Sequence, residues 1–238
     1  MIEALVWGGV AGFANLLGAL IVLRFTLPTQ LIGSIMALGT GALLGAVSFE
    51  LLGDALRLGS MADIALGFLG GAIIFTLADS ILAKRGAKHR KRSSNQGEES
   101  SGLAIFIGTI MDAIPETAMI GLSLLSGNVS LALVLAIFIS NIPEGLSSTT
   151  GLKQAGYSTK KVSIMWCAVV AMSMLSSLVG FTFLGDSSVH VQAVVNAFAA
   201  GGILAMVAST MMPEAYEKGG PIVGFVTALG LFITLLLQ

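Results

Sequence analysis

Apolar residues run along this chain in eight long blocks and do not alternate with polar ones. The blocks fall at about 4–23, 31–53, 64–83, 102–125, 129–151, 162–184, 191–213 and 220–237. Each approaches the roughly 20 residues that a helix needs to cross a hydrocarbon layer. The pattern predicts eight transmembrane helices, hence an all-α polytopic membrane protein. Residues 1–238 then form a single transmembrane domain, because short turns join the blocks everywhere except at 84–101. That stretch carries Lys84, Arg85, Lys88, Arg90, Lys91 and Arg92, then a polar tail from Ser93 to Glu99, the composition of a disordered loop. The first block has no basic residue before it and ends at Arg24, so it reads as a spanning helix and not as a cleaved signal peptide.

The blocks also hint at an internal repeat. Gly41 to Val47 with Gly53-Asp54-Ala55 aligns with Gly201 to Val207 and Pro213-Glu214-Ala215 at one offset of 160 residues. Helices two and seven would run through the bilayer in opposite directions, as would helices four and five. An inverted repeat of this kind is how many secondary transporters build a site at the midplane.

Composition sharpens the class. Hydrophobic residues make up 55% and charged residues 11%, against about a quarter charged in soluble domains, and mean hydropathy is +0.93. The net charge of -1 argues for neither nucleic acid nor an acidic partner. With the 84–101 loop in the cytoplasm, Arg57 is the one basic residue of 12 Lys and Arg left outside. The expectation is a multi-pass protein of the cell membrane with both termini outside and a basic loop that touches anionic lipid. The lone Cys167 excludes an internal disulfide and a cysteine metal cluster. Among the 30 glycines, Gly8 with Gly12, or Gly67 with Gly71, are candidates for a homodimer interface in the lipid bilayer.

Candidate chemistry concentrates in blocks four and five. Between Ser101 and Gly151 the only charged residues are Asp112, Glu116 and Glu144, and the latter two close a repeated Ile-Pro-Glu, at Ile114 to Glu116 and Ile142 to Glu144. A carboxylate at mid-membrane costs about 3 kcal/mol even on a lenient scale, so it reads by default as functional. Each proline removes an amide and would free the carbonyl four residues back, those of Met111 and Ile139. Asp112 and Glu116 share a face, as do Ser140, Asn141 and Glu144. The short linker Ser126-Gly127-Asn128 makes the two helices antiparallel neighbours with both Pro-Glu pairs at similar depth. Together they would offer only oxygen donors to a cation. The plainer alternative is a pair of proline kinks with protonated glutamates, and Ser140 and Asn141 could equally serve as interhelical glue. Glu50, near the outer end of helix two, and Glu214, near the inner end of helix seven, are candidate transport-pathway residues or solvated boundary residues. Asp79 is expected to pair with Lys84 and Arg85. His89 and His190 fall outside reach of the midplane.

At these residues the chain resembles the ZIP family of divalent-metal transporters, which bear Pro-Glu signatures in helices four and five. The resemblance implies a three-two-three arrangement of eight helices and transport of zinc, iron or manganese into the cytoplasm. It also implies metal ligation by Glu116 and Glu144, with Asp112 and Ser140 where the family carries histidine or glutamine, Ala113 where it carries asparagine, and Asn141 at a position often Asp or Asn. Loss of both histidines implies a weakened second metal position. An oxygen-only site favours harder ions such as manganese over zinc. The metal is cargo, and no cofactor is expected.

Other classes fit less well. A cation/proton or calcium-type exchanger also carries Pro-Glu in broken helices, but in distant halves of the chain. A transport-inactive metal sensor is a further alternative. No His-Glu-x-x-His motif and no aspartate pair at equal depth points to an intramembrane protease, so no enzyme is expected.

Overall fold

The computed structural model describes residues 1–25, 27–83, 99–126, 129–185 and 187–237. These residues fold into eight antiparallel rods: α1 (Ile2–Arg24), α2 (Thr29–Leu58), α3 (Met61–Leu82), α4 (Glu99–Ser123), α5 (Leu131–Gln154), α6 (Thr159–Gly185), α7 (Val189–Gly219) and α8 (Ile222–Leu236). No strand occurs among the described residues. The chain is thus an all-helical, polytopic membrane protein. The basic loop expected at 84–101, and with it the pairing of Asp79 with Lys84 and Arg85, lies largely outside the described residues.

Burial is inverted relative to a water-soluble bundle. Leu66, Leu69, Ile73 and Leu77 on α3, Leu175, Val179 and Phe183 on α6, and Phe225 and Phe232 on α8 all face outward. Alanines and polar side chains such as Asn15, Thr40, Ser173 and Asn196 fill the interior. Hydrocarbon solvates the outward leucines as well as a protein core would, so small residues that let backbones approach decide which faces meet.

Two groups of rods result. Helix α1 packs on α4, α5 and α6, and α4 on α6; α2 packs on α7 and α8, and α3 on α7. The groups meet chiefly where α2 crosses α5. There, a Cβ on Gly39 would press into the backbone of Ser140, and within the first group one on Gly145 of α5 would collide with the Asn15 carbonyl of α1. The glycines considered for a homodimer are used inside the chain: Gly8 and Gly12 abut Ser173 and Ser177 of α6, and Gly67 and Gly71 abut α7 at Val194 and Phe198. All four are buried, so they present no surface to a second copy.

One end of the bundle, the loop end, carries the α1–α2, α5–α6 and α7–α8 turns, and there Gly33 meets Gly219. The other, the termini end, carries both chain ends, and there Gly59 meets Ala193. At the termini end Ser60 caps α3 through a reciprocal box with Asp63, and His190 Nδ1 on α7 lies 3.1 Å from Asp63 Oδ2.

Two features depart from the apolar-block pattern. The Pro-Glu helices α4 and α5 continue through Pro115 and Pro143 without interruption. Irregular turns occur instead in α2 and α7, as π segments at Val47–Leu51 and Val207–Met211. These stand 160 residues apart, the offset at which the two sequences align. Each π segment inserts an extra residue into the helical ladder and re-aims the turns beyond it. In addition, α8 has only 15 residues. Gly220, at a φ of 71°, takes a left-handed conformation open to glycine, and Pro221 starts the new helix, so the last block gives up its first residues to the turn.

Candidate metal centre

The five residues singled out on α4 and α5 are all inside the protein: Asp112, Glu116, Ser140, Asn141 and Glu144 are at most 3% exposed. Their helices explain this. Asp112 and Glu116 are one turn apart on the face of α4 that also buries Met119 and Ile120, and Ser140, Asn141 and Glu144 share the buried face of α5 with Ile137. Close contact of α5 with α1 at Gly145 and with α2 at Ser140 fixes the depth of that face.

Hydrogen bonds divide the neutral residues by role. The Ser140 hydroxyl donates to the Ile137 carbonyl at 2.9 Å, which leaves its oxygen lone pairs. Asn141 Nδ2 donates to the Ala11 carbonyl at 3.2 Å and ties α5 to α1, while its Oδ1 is buried without a hydrogen-bond partner. Asn141 is therefore interhelical glue through its nitrogen and an available donor to a cation through its oxygen. The Ile114 carbonyl, beside Pro115, accepts from Ser176 of α6 at 2.6 Å.

Among the described residues no three His, Cys, Asp or Glu side chains come together as a ready metal cage. Asp112, Glu116 and Glu144 are each buried but do not form such a trio. A cation held there would need neutral oxygens as well.

The two outlying acids fall at opposite ends of this region. Glu50, in the π segment of α2, lines a cavity of about 320 Å³ at the termini end together with Asp54, Met119, Gln192 and Asn196. Met119 is about one turn beyond Glu116 on α4, and neither Glu116 nor Asp112 lines the cavity. Glu214, expected at a boundary with water, is instead 2% exposed at the loop end. It pairs with Lys218, Nζ to Oε1 at 2.7 Å, and accepts from the Ser147 hydroxyl of α5. From termini end to loop end the polar residues thus follow one another as Glu50 and Asp54, then Glu116 with Ser140 and Asn141, then Glu144, Ser147 and Glu214.

Sequence reasoning passed over four members of this series. Gln192 and Asn196 stand one turn apart on α7. Lys218 follows Glu214 by four residues, a spacing that pairs on a helix. Asn15 is fully buried on α1 with neither side-chain polar atom hydrogen-bonded, and its backbone touches Gly145. An asparagine in the middle of an apolar span was the available signal.

Over 209 residues the chain is 25% identical to an Arabidopsis thaliana protein named "Putative zinc transporter". The match covers 86% of this chain and 33% of that protein, so the chain spans about a third of the relative's length. No family model matches the chain.

Proposed function

We propose that this chain moves a divalent metal cation, zinc or a related ion such as manganese or iron, across the cell membrane into the cytoplasm. The observation that carries the reading is the burial of Asp112, Glu116 and Glu144 midway along two apolar helices, in a bundle whose outer faces suit lipid. Carboxylates in such surroundings are tolerated where a cation or proton accompanies them. The naming of the Arabidopsis relative as a zinc transporter supports the same class of cargo. Glu116 and Glu144 serve as principal ligands, with Asp112, the Ser140 hydroxyl and Asn141 Oδ1 as further oxygen donors. Such a donor set suits manganese better than zinc.

In this reading the termini lie outside, so the Glu50 cavity is the entrance and Glu214 lies near the exit. The division into α1, α4, α5 and α6 against α2, α3, α7 and α8 suits a bundle that carries the site past a fixed partner. The π segments at equivalent places in α2 and α7 favour an inverted-repeat origin.

The test is uptake into proteoliposomes across a panel of manganese, zinc, iron, cadmium and calcium. At least one transition metal is expected to accumulate, and Glu144→Ala to abolish its uptake. Undiminished uptake by that variant overturns the assignment.

A further inference from the structure

The cluster at the loop end has chemistry of its own. Lys218 Nζ lies 2.7 Å from Glu214 Oε1 and 2.9 Å from Ser147 Oγ, and the Ser147 hydroxyl in turn donates to Glu214. A Glu and Lys four residues apart are ordinarily a surface pair that steadies a helix. This pair is buried, the lysine side chain 9% exposed and the glutamate 2%, and it reaches from α7 to another helix. Burying both charges incurs a desolvation penalty that two apolar side chains would avoid, so stability does not account for the pair.

Its donor set is a better guide. A carboxylate and a hydroxyl converge on one positive charge, and these oxygens are the ligands that hard divalent ions take. The ammonium stands where such an ion would stand. Ser147 is three residues beyond Glu144 on the same face of α5, so this place adjoins the buried carboxylates on the loop side. We propose that Glu214 and Ser147 form a second divalent-cation site whose resident occupant is the tethered ammonium of Lys218.

A metal ion enters by displacing Lys218, which swings toward the loop-end solution. With lysine docked, the pair is neutral; with a divalent ion in place and lysine withdrawn, the site carries a surplus positive charge. The lysine therefore competes with the metal and keeps the site weak, as suits a place from which an ion leaves. Its role in transport rests on the proposed function, but the binding itself does not.

The test counts manganese bound to the purified full chain in detergent, read from loss of the free-ion electron paramagnetic resonance signal. Lys218→Met is expected to bind a second manganese at least tenfold more tightly than the unaltered chain. Lys218→Met with Glu214→Gln loses that ion, and Lys218→Met with Glu144→Ala keeps it. An unchanged second affinity in Lys218→Met overturns the proposal. The unaltered chain gives a second measurement independent of any variant's folding: acylation of Lys218, followed by mass spectrometry, is expected to rise several-fold as manganese is added to millimolar levels. Labelling indifferent to manganese overturns it equally. Loss of Glu144 with no change in the first manganese would refute the transport site and leave the loop-end site standing.

Discussion

In the proposed site Asn141 would have two functions, because its two polar atoms face different needs. The amide nitrogen holds α1 through the Ala11 carbonyl, and the oxygen is left to the interior beside Glu144. The two contributions differ in size. An interhelical hydrogen bond within a membrane averages roughly 0.6 kcal/mol, whereas loss of a supporting metal-site group costs roughly tenfold or more in affinity. Asn141→Leu is therefore expected to shift melting by only a degree or two while raising the metal concentration for half-maximal uptake about tenfold. Parallel thermal scans and uptake curves check the two effects, and a large melting shift with unaltered uptake would reduce Asn141 to glue. The acids of α4 and α5 were legible from the chain alone, because charge in an apolar run has few explanations. Asn15 was harder to find, since one neutral amide in an apolar run costs little and serves many purposes. Only its burial, with both polar atoms unmatched, distinguishes it.

Helices four and five illustrate how an element differs from its motif. Proline was expected to break them, yet each continues through its Pro-Glu. Each proline withholds one amide from the carbonyl four residues back without ending the helix, and on α4 the Ser176 hydroxyl of α6 donates to the Ile114 carbonyl beside Pro115. The π segments of α2 and α7 left no comparable trace. An extra residue in a helical ladder needs no special side chain, so nothing at Val47 to Leu51 announces it. Close crossings were also hidden, because 30 glycines look alike until their neighbours are known. Gly145, next to Glu144, is among the exacting ones, lying against the Asn15 carbonyl. Gly145→Val is expected to force α1 from α5 and destabilise the protein by about 1–3 kcal/mol. A melting temperature unmoved by this change would show that the two helices cross with room to spare.

At the scale of the whole molecule, block length did most of the predictive work. A run of 18 or more apolar residues is a spanning helix almost irrespective of which apolar residues compose it, so seven of the eight expected helices emerged at spanning length among the described residues, and α8 is shorter. The proposed sidedness rests on where the basic residues fall and invites a direct check. Cys167 is the only cysteine and is exposed on α6, so Cys167→Ser yields a thiol-free chain. Into it, Arg57→Cys at the termini end and Lys160→Cys at the loop end are expected to react with an impermeant thiol reagent from opposite sides of intact cells, the first from outside. Reaction of both from one side would deny that the chain alternates across the bilayer. Neither the pairing of α2 with α5 nor the burial of Glu214 could be read this way, because both depend on which blocks become neighbours.

The brevity of α8 reaches beyond the protein itself. Fifteen residues rise about 22 Å, against a hydrocarbon layer of about 30 Å. Lipids along that flank are expected to thin to cover it, while the long rods α2 and α7 beside it call for tilt or a thicker layer. Membrane thickness therefore pulls unequally on the two sides of one helix group, and acyl-chain length becomes a mechanical load on the α2–α8 seam.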